Sequence, residues 1–212
     1  MTISFNHLRH KNFAIYGLGI TGRSVIRYFH KHGFNNYIGW DDNNEVFKKS
    51  IGLKYKKMRS NFLKKINFAD YIIVSPGVNI NKAKLKKILL KNKEKIITDL
   101  DLFYLLNSDI KSIVVTGTNG KSTTCKVIEH ILKKNNINVG LGGNIGSPIL
   151  NLNLKKNSFV VIEASSFQLA YSKFIKPNYA ILLNITKDHL DWHGSMNSYI
   201  NSKFKIFSLQ KK

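Results

Sequence analysis

The stretch that decides the fold of this chain is IVVTGTNGKSTTCKVIEHIL, residues 113–132. An apolar β-branched run, a glycine-containing bend and a segment of helical period follow one another in it. This is the order of a strand, a phosphate-binding loop and a helix. The general loop pattern G-x-x-x-x-G-K-[ST] would place a glycine where Val115 stands. The loop is therefore a shorter variant whose first turn is made at Gly117.

The residue types in this bend suit the binding of ATP. Gly117 and Gly120 let the backbone curl, and Lys121 can neutralise the β and γ phosphates. Ser122 or Thr123 can reach Mg²⁺ at the start of the helix. A chance G-K-[ST] is common, but the complete order of strand, loop and helix favours an ATP-binding loop.

Short apolar runs alternate with helical segments on both sides of this loop. NFAIYG, YIGW and YIIVSPG precede it, and INVGLGG, SFVVIEA and YAILLNI follow it. Such alternation predicts an α/β fold with parallel strands and helices on the sheet faces. One series runs from Phe13 to about Ile97, and a second begins at Ser112. The apolar segment TDLDLFYLLNSDIK predicts a short helix that joins two modules, and we place these modules at residues 1–98 and 99–212.

Composition narrows the class of protein. The chain has 212 residues, is 43% hydrophobic and carries a formal charge of +22, from 34 Lys and Arg against 12 Asp and Glu. The lysines are scattered along the chain, so a basic nucleic-acid-binding protein is an alternative that we do not favour. The single cysteine, Cys125, excludes an internal disulfide. No apolar run approaches the about 18 residues of a membrane span, so we expect a cytoplasmic protein.

The first module carries a second glycine-rich bend. In GLGITGRS, the residues Gly17, Gly19 and Gly22 form a G-x-G-x-x-G pattern between a strand and a helix. About 20 residues later the next strand ends in Asp41 and Asp42, where a carboxylate commonly reaches a ribose hydroxyl. The pattern predicts a nucleotide without specifying which one. A nicotinamide oxidoreductase and a plain packing turn both remain open.

Acidic and imidazole side chains follow the later strands. SFVVIEA ends near Glu163, from which a carboxylate can hold a metal opposite the ATP loop. YAILLNITKDHLDWHG brings Asp188, His189, Asp191 and His193 to the same edge of the predicted sheet. These groups can ligate a metal or orient a substrate, although a histidine beside a turn is more often structural.

The motifs TGTNGKST, GGNIG, EASSFQL and LNITKDHLD, in this order and spacing, resemble the Mur ligases, the ATP-dependent amide-forming enzymes of peptidoglycan synthesis. With GLGITGRS, WDD and SPG, they are most similar to the branch that joins D-glutamate to UDP-N-acetylmuramoyl-L-alanine. The resemblance extends from about residue 12 to 207. It implies a Rossmann-like UDP-binding domain over 1–98, followed by the amino-terminal part of a P-loop ATPase domain over 99–212.

The resemblance also implies roles for individual residues. For the UDP substrate it implies contacts from Gly19, Ile20, Thr21, Asp41, Asp42, Gly77, Asn144, Ser165 and Gln168. For ATP it implies contacts from Gly117, Thr118, Asn119, Gly120, Lys121, Ser122 and Thr123. For two Mg²⁺ sites it implies the ligands Ser122, Glu163, His189 and Lys203. As catalytic residues it implies Lys121, His189 and Lys203.

One implied ligand is a lysine that becomes carbamylated and so changes from a cation into a metal-binding anion. In SMNSYINSKFKIF the matching residue is Lys203, and Lys205 is the alternative if the preceding loop shifts the alignment. The implied reaction is phosphoryl transfer from ATP to the alanyl carboxylate, followed by attack of the D-glutamate amine on the acyl phosphate. Lys121 and the metals would stabilise charge on the transferred group.

Members of the family are about twice as long as this chain. The resemblance therefore implies that a carboxy-terminal domain and most of the D-glutamate site are absent. We expect a monomeric amino-terminal fragment that does not turn over alone. Another Mur ligase is the nearest alternative. A folylpolyglutamate synthetase would share the ATP loop, but the motifs of the first module argue against it.

Overall fold

The computed structural model of the protein describes residues 5–51, 58–155 and 157–210. The chain divides into two compact units, Met1–Asp99 and Leu100–Lys212. Each unit is built on a four-stranded sheet whose described strand pairs are all parallel. The predicted α/β fold with parallel strands is confirmed.

The first unit has the strand order β2-β1-β3-β4. Its strands are β1 Phe13–Tyr16, β2 Tyr37–Trp40, β3 Tyr71–Val74 and β4 Ile96–Ile97. Its helices are α1 Phe5–Arg9, α2 Ile20–Lys31, α3 Asn44–Ile51, α4 Met58–Lys65 and α5 Lys86–Lys91, with 3-10 turns at Ile66–Phe68 and Lys93–Lys95. β1 is apolar along its whole length because both of its faces are buried.

An aromatic cluster fills the core of this unit beside β1. The ring centroids of Phe13 and Phe29 lie 4.8 Å apart, and so do those of Phe29 and Phe34. All three side chains are buried. Because Phe29 lies on α2, the cluster fixes that helix against the strand from which the first glycine bend departs.

The second unit has the strand order β6-β7-β5-β8. Its strands are β5 Lys111–Thr116, β6 Val139–Gly143, β7 Phe159–Glu163 and β8 Tyr179–Leu182. The helices from the boundary onward are α6 Asp99–Leu106, α7 Lys121–Lys134, α8 Ser166–Tyr171, α9 Leu190–His193 and α10 Met196–Ser208, with a 3-10 turn at Ile149–Asn151. The helix predicted between the two modules is observed as α6.

The core of the second unit packs α7 against the sheet. Ile113, Val115 and Val161 are buried with Cys125, which lies on α7. Burial and the nearby charge of Glu163 raise the pKa of the Cys125 thiol to about 12, so this cysteine is inert at neutral pH. Among the helices of the described part of the chain, none is long and apolar enough to cross a bilayer.

Candidate active site

Strand register brings three chain segments to one edge of the second sheet. Val115 near the end of β5 is paired with Glu163 at the end of β7 and with Ile181 in β8. The segments that leave these strands therefore begin side by side at the carboxyl edge. In parallel α/β sheets this edge is where ligands bind.

The bend after β5 leads directly into α7. Gly120 is the N-cap of this helix and has φ +83°, a conformation that residues with a Cβ rarely adopt. A Cβ on Gly117 would lie 3.1 Å from the Cβ of Leu183, so the loop passes close to the chain that follows β8. Gly120 provides no side-chain cap, so the first N–H groups of α7 have neither an intrahelical acceptor nor a capping side chain. Such a helix start attracts anions.

Lys121, the first residue of α7, folds back over this loop. Its Nζ donates a hydrogen bond to the carbonyl oxygen of Thr118 at 2.7 Å. The ammonium group thus lies above the bend, where it can neutralise the charge of a phosphate.

Two predicted metal ligands, Ser122 and Glu163, and the neighbouring Asn144 meet at the same edge. Glu163 Oε2 accepts a hydrogen bond of 2.7 Å from Ser122 Oγ, and Glu163 Oε1 accepts one of 2.7 Å from Asn144 Nδ2. The carboxylate is 2% exposed. Hydroxyl and carboxylate oxygens are the ligands that Mg²⁺ prefers, so the pair Ser122 and Glu163 fits one Mg²⁺ ion.

Lys203 lies on α10 and contacts the phosphate loop. It is 1% exposed, its Nζ donates to the carbonyl oxygen of Gly117 at 2.6 Å, and it lies 4.7 Å from the ring centroid of Tyr199. Burial, and next the charge of Lys121, lower the pKa of the Lys203 amine to about 8, while Asp188 opposes this shift. An appreciable share of these amines is neutral at slightly alkaline pH.

Lys205, the alternative to Lys203, points elsewhere. Its Nζ donates to the carbonyl oxygens of Ala170 at 2.5 Å and Ser172 at 3.3 Å, at the end of α8. Positions two apart on a helix are about 200° apart around its axis, which explains the opposite directions. Of the two lysines, Lys203 is the one whose amine contacts the phosphate loop.

His189 lies at the start of α9 in a left-handed conformation, with φ +50°. Its Nε2 is 3.3 Å from Asp188 Oδ2, and its ring centroid is 4.7 Å from that of Phe167. A carboxylate on one imidazole nitrogen orients the ring and leaves the other nitrogen for a metal. Within the described residues, no cluster of three or more His, Cys, Asp or Glu side chains is arranged to hold a metal.

Other predicted residues of this edge have contacts within the protein. Ser165 and Gln168 form a capping box at the start of α8: Ser165 Oγ accepts the N–H of Gln168, and Gln168 Oε1 accepts the N–H of Ser165. Both side chains are buried. His193 Nε2 lies 3.0 Å from Ser166 Oγ, so it connects α9 to α8. These contacts start and position α8.

In the first unit, the bend GLGITG connects β1 to α2. Gly17 has φ +94°, and a Cβ on Gly22 would overlap with the carbonyl oxygen of Gly17. Ser75 Oγ donates to the same carbonyl at 2.7 Å and fastens the bend to the end of β3. The predicted pyrophosphate contacts stand at the start of α2, where Ile20 is 68% exposed. The exposed Gly77 follows β3.

The two aspartates after β2 support the frame of this edge. Asp41 accepts hydrogen bonds from the N–H of Leu18 at 2.6 Å and of Asn43 at 2.7 Å. One carboxylate oxygen of Asp41 thus holds the glycine bend itself. A ribose hydroxyl would have to share these oxygens with backbone donors.

Asp42 joins three parts of the first unit. Its Oδ1 accepts from Tyr16 Oη at 2.6 Å and Trp40 Nε1 at 2.8 Å, and its Oδ2 accepts from the N–H of Lys84 at 2.9 Å. Burial raises the pKa of the Asp42 carboxyl, but these hydrogen bonds and the Lys84 charge outweigh burial and lower it overall. Burial and the Asp42 carboxylate raise the pKa of the Tyr16 phenol.

Two residues that the sequence analysis did not single out also contact the phosphate loop. Tyr199 Oη lies 2.8 Å from Thr118 Oγ1, and Asn184 Oδ1 accepts from the N–H of Asn119 at 2.9 Å. Asn184 follows a strand at the ligand-binding edge, and that position was a usable signal. For Tyr199, helical periodicity predicts a core position and gives no indication of its hydroxyl contact.

Family models match almost the whole chain. Residues 11–97 match the Mur ligase MurD-like, N-terminal domain, and residues 115–212 match the Mur ligase middle domain. Solved structures support the fold. A UDP-N-acetylmuramate:L-alanyl-gamma-D-glutamyl-meso-diaminopimelate ligase of Neisseria meningitides aligns with TM-score 0.56 at 18% identity, over 95% of this chain and 68% of that one. A UDP-N-acetylmuramate-alanine ligase of Thermotoga maritima aligns with TM-score 0.51 at 22% identity, over 95% of this chain and 48% of that one.

Curated relatives share more sequence. A UDP-N-acetylmuramoylalanine--D-glutamate ligase of Wolbachia pipientis wMel is 38% identical over 97% of this chain and 40% of its own length. A ligase of the same name from Rickettsia prowazekii is 38% identical over 98% of this chain and 46% of its own length. Another from Buchnera aphidicola is 36% identical over 99% of this chain and 47% of its own length. The chain spans less than half the length of these relatives.

Proposed function

The chain belongs to the Mur ligase family, and on this premise we propose that it forms the amino-terminal part of a ligase that uses ATP to join D-glutamate to UDP-N-acetylmuramoyl-L-alanine. The names of the curated relatives support this choice of branch. The observation that carries the proposal is the phosphate loop after β5, which Ser122, Glu163 and Lys203 surround.

The loop is proposed to hold the phosphates of ATP. The N–H groups at the start of α7 supply donors, and Lys121 supplies a positive charge that can turn from the Thr118 carbonyl to a phosphate oxygen. Ser122 and Glu163 would hold Mg²⁺, which would add positive charge beside the phosphates. His189, with Asp188 beside it, is the candidate ligand for a second ion.

We assign the carbamylated position to Lys203. A neutral amine attacks CO₂ to form an N-carboxylate and releases one proton, so a lowered amine pKa favours the reaction. The buried product would be an anion close to the loop, whereas the ammonium of Lys205 contacts carbonyls at the end of α8. A carbamate on Lys203 would add a carboxylate to a site whose described acidic ligand is Glu163.

The first unit is proposed to bind the UDP part of the substrate. The N–H groups at the start of α2, beside Gly19, Ile20 and Thr21, are available to the pyrophosphate. Asp41 and Asp42 shape this edge mainly through the hydrogen bonds that they accept from the protein. The start of α2, beside the end of β2, therefore offers backbone N–H groups for the recognition of an anion.

The proposed reaction has two steps. The bond between the γ-phosphorus and the β–γ bridging oxygen of ATP breaks as the alanyl carboxylate oxygen bonds to phosphorus, which yields an acyl phosphate and ADP. The amine of D-glutamate then attacks the acyl carbon, phosphate leaves, and the nitrogen loses a proton. Lys121 stabilises the negative charge on the transferred group, which is the main catalytic task in such a transfer.

We propose that the 212 residues carry the UDP site and the phosphate loop but not a complete D-glutamate site, because the relatives are about twice as long. Bringing the two reactants together is worth several orders of magnitude in rate. The chain alone is therefore expected to bind ligands without forming the amide.

Calorimetric titration tests the proposal. The purified chain should bind Mg²⁺–ATP and UDP-N-acetylmuramoyl-L-alanine, should bind UDP-N-acetylmuramate more weakly, and should not bind NAD(H). Lys121→Met should weaken ATP binding and leave UDP-substrate binding unchanged. Binding of NAD(H) in place of the UDP substrate would contradict the assignment of the first unit. Amide formation by the chain alone would contradict the proposal that these 212 residues lack a complete D-glutamate site.

A further inference from the structure

Asn184 follows β8 and binds the phosphate loop through both polar atoms of its side chain. Its Oδ1 accepts hydrogen bonds from the N–H of Thr118 at 3.2 Å and of Asn119 at 2.9 Å, and its Nδ2 donates to the Asn119 carbonyl at 3.1 Å. Its own backbone carbonyl accepts from the Thr118 N–H at 3.0 Å. The end of β8 is thus joined to the two residues that follow Gly117.

These contacts separate the N–H groups of the loop into two sets. Those of Thr118 and Asn119 are directed to Asn184. The N–H groups in the first turn of α7 have no intrahelical acceptor, and their N-cap Gly120 has no side chain to supply one. The second set is the one that an incoming phosphate can bind.

The glycines of the loop restrain its backbone less than other residues would, so contacts from outside the loop help to set its conformation. Gly120 has φ +83°, and Gly117 also has a positive φ, so neither position restrains the backbone as other residues would. Any conformational freedom that a loop loses on binding is subtracted from the affinity for its ligand. A side chain that fixes the loop beforehand therefore increases affinity.

We propose that Asn184 is a positioning residue that holds the phosphate loop in its anion-binding conformation. This inference rests on the proposed function, since it presupposes that the loop binds ATP. Asn184 acts on the backbone of Thr118 and Asn119, and the phosphates bind to the neighbouring helix start.

Asn178 provides a matched control. It precedes β8, as Asn184 follows it, and its Oδ1 accepts a hydrogen bond of 2.9 Å from the N–H of Ser112 in β5. Both asparagines therefore tie β8 to β5 or its loop through a backbone N–H. Asn184 makes its contacts at the carboxyl edge of the sheet, beside the phosphate loop, and Asn178 makes its contact at the opposite edge.

The experiment measures Mg²⁺–ATP affinity by calorimetry for the wild-type chain, Asn184→Ala and Asn178→Ala. Amide hydrogen exchange at Thr118 and Asn119 is measured without ligand. Loss of two to three hydrogen bonds that order the loop should weaken ATP binding about tenfold. Asn178→Ala should keep the wild-type affinity within about twofold. Exchange at Thr118 and Asn119 should accelerate only in Asn184→Ala.

The outcomes separate this inference from its premise. ATP binding by Asn184→Ala that equals the wild type, or equal weakening in both variants, overturns the positioning role and leaves the proposed function intact. Failure of the wild-type chain to bind Mg²⁺–ATP contradicts the proposed function and removes the premise of the inference. Because Asn184 is exposed, Asn184→Ala is expected to fold, and its unfolding free energy provides the check.

Discussion

The two glycine bends of the molecule follow interior strands of two parallel sheets, yet their polar surroundings differ in kind. At the bend after β1, the carboxylates of Asp41 and Asp42 accept hydrogen bonds from N–H and O–H groups of their own unit. At the bend after β5, the ammonium groups of Lys121 and Lys203 donate to carbonyl oxygens of the loop itself.

The difference is between groups that stabilise the fold around a bend and groups that are able to bind a ligand there. A carboxylate that accepts from backbone N–H groups fixes the chain and remains fixed, because those donors would be left unpaired without it. A lysine on a loop carbonyl can exchange that oxygen for a phosphate oxygen at little cost. We therefore expect the polar groups of the first bend to matter most for folding, and Lys121 at the second bend to matter most for ligand binding.

The largest expected effect is on the first bend. Gly22→Ala would place a Cβ on the carbonyl oxygen of Gly17, and backbone cannot yield as a flexible side chain does. We expect a loss of about 3 kcal/mol or more in the unfolding free energy of the first unit. Gly19→Ala is the control, because its Cβ would meet nothing within 4 Å.

Tryptophan fluorescence can report this unit separately. The chain has two tryptophans, Trp40 in the first unit and Trp192 in the second. In a Trp192→Phe background, urea titration therefore follows Trp40 alone. Equal midpoints for Gly22→Ala and Gly19→Ala would show that the close approach of α2 to Gly17 does not constrain the bend.

The next effect concerns the buried lysine of the second bend. Lys203 has its pKa lowered from 10.5 to about 8, so the folded chain loses this proton first as pH rises. Between these two values the unfolded chain binds more protons, and the unfolding free energy therefore rises with pH. We expect a rise of about 2 to 3 kcal/mol from pH 8 to 10.5 that Lys203→Met abolishes.

Urea titrations across this pH range measure the difference, with carbon dioxide excluded so that the amine stays unmodified. Lys205→Met is the matched control from the same helix, and it should keep the pH dependence of the wild type. A wild-type slope that survives in Lys203→Met would assign the titration to another group. The buried lysine would then not be the group that distinguishes this bend.

A smaller effect is expected at Asp42. The Asp42→Asn side chain retains one acceptor oxygen for three donors. The unfolding free energy of the first unit should therefore fall by about 1 kcal/mol at pH 7. Since the pKa of Asp42 is lowered on folding, its contribution is complete above the unfolded pKa of 3.8 and disappears as pH falls through the folded value. The unfolding free energies of the wild type and Asp42→Asn, measured by circular dichroism, should therefore converge at low pH. A constant difference would exclude the carboxylate charge as the cause.

The smallest effect on stability is expected at Lys121. Its contact with the Thr118 carbonyl is a single part-buried hydrogen bond between residues three apart, so Lys121→Met should change the unfolding free energy by less than about 1 kcal/mol. The same variant should lose most of its ATP affinity. Thermal unfolding without and with Mg²⁺–ATP measures both quantities. A large loss of stability without ligand would remove the distinction between the two bends.

The order of strands and helices could be predicted from the sequence because burial of both sheet faces leaves an unbroken apolar signal. β1, β5 and β7 show it, and all three are interior strands. The positions of both glycine bends followed from the strands that precede them. The family could also be predicted, because several motifs recur in a fixed order.

Side-chain contacts could not be predicted in the same way. Periodicity places Lys203 and Lys205 on one helix, but the rotation of that helix against the loop depends on the packing of α8 and Tyr199. The acceptor roles of Asp41 depend on the distance between two strand ends. Asn184 differs from an ordinary loop asparagine only by the two N–H groups that face it.

The bend at Gly143 links the proposed metal ligand Glu163 to the predicted substrate contact Asn144. Gly143 has φ +106°, and Asn144 touches Glu163 twice, through its N–H to the Glu163 carbonyl and through Nδ2 to the carboxylate. An ion that draws this carboxylate away would release the Asn144 side-chain amide, which is a predicted contact of the UDP substrate. Metal and substrate would then each raise the affinity of the other by the same factor, as thermodynamic reciprocity requires.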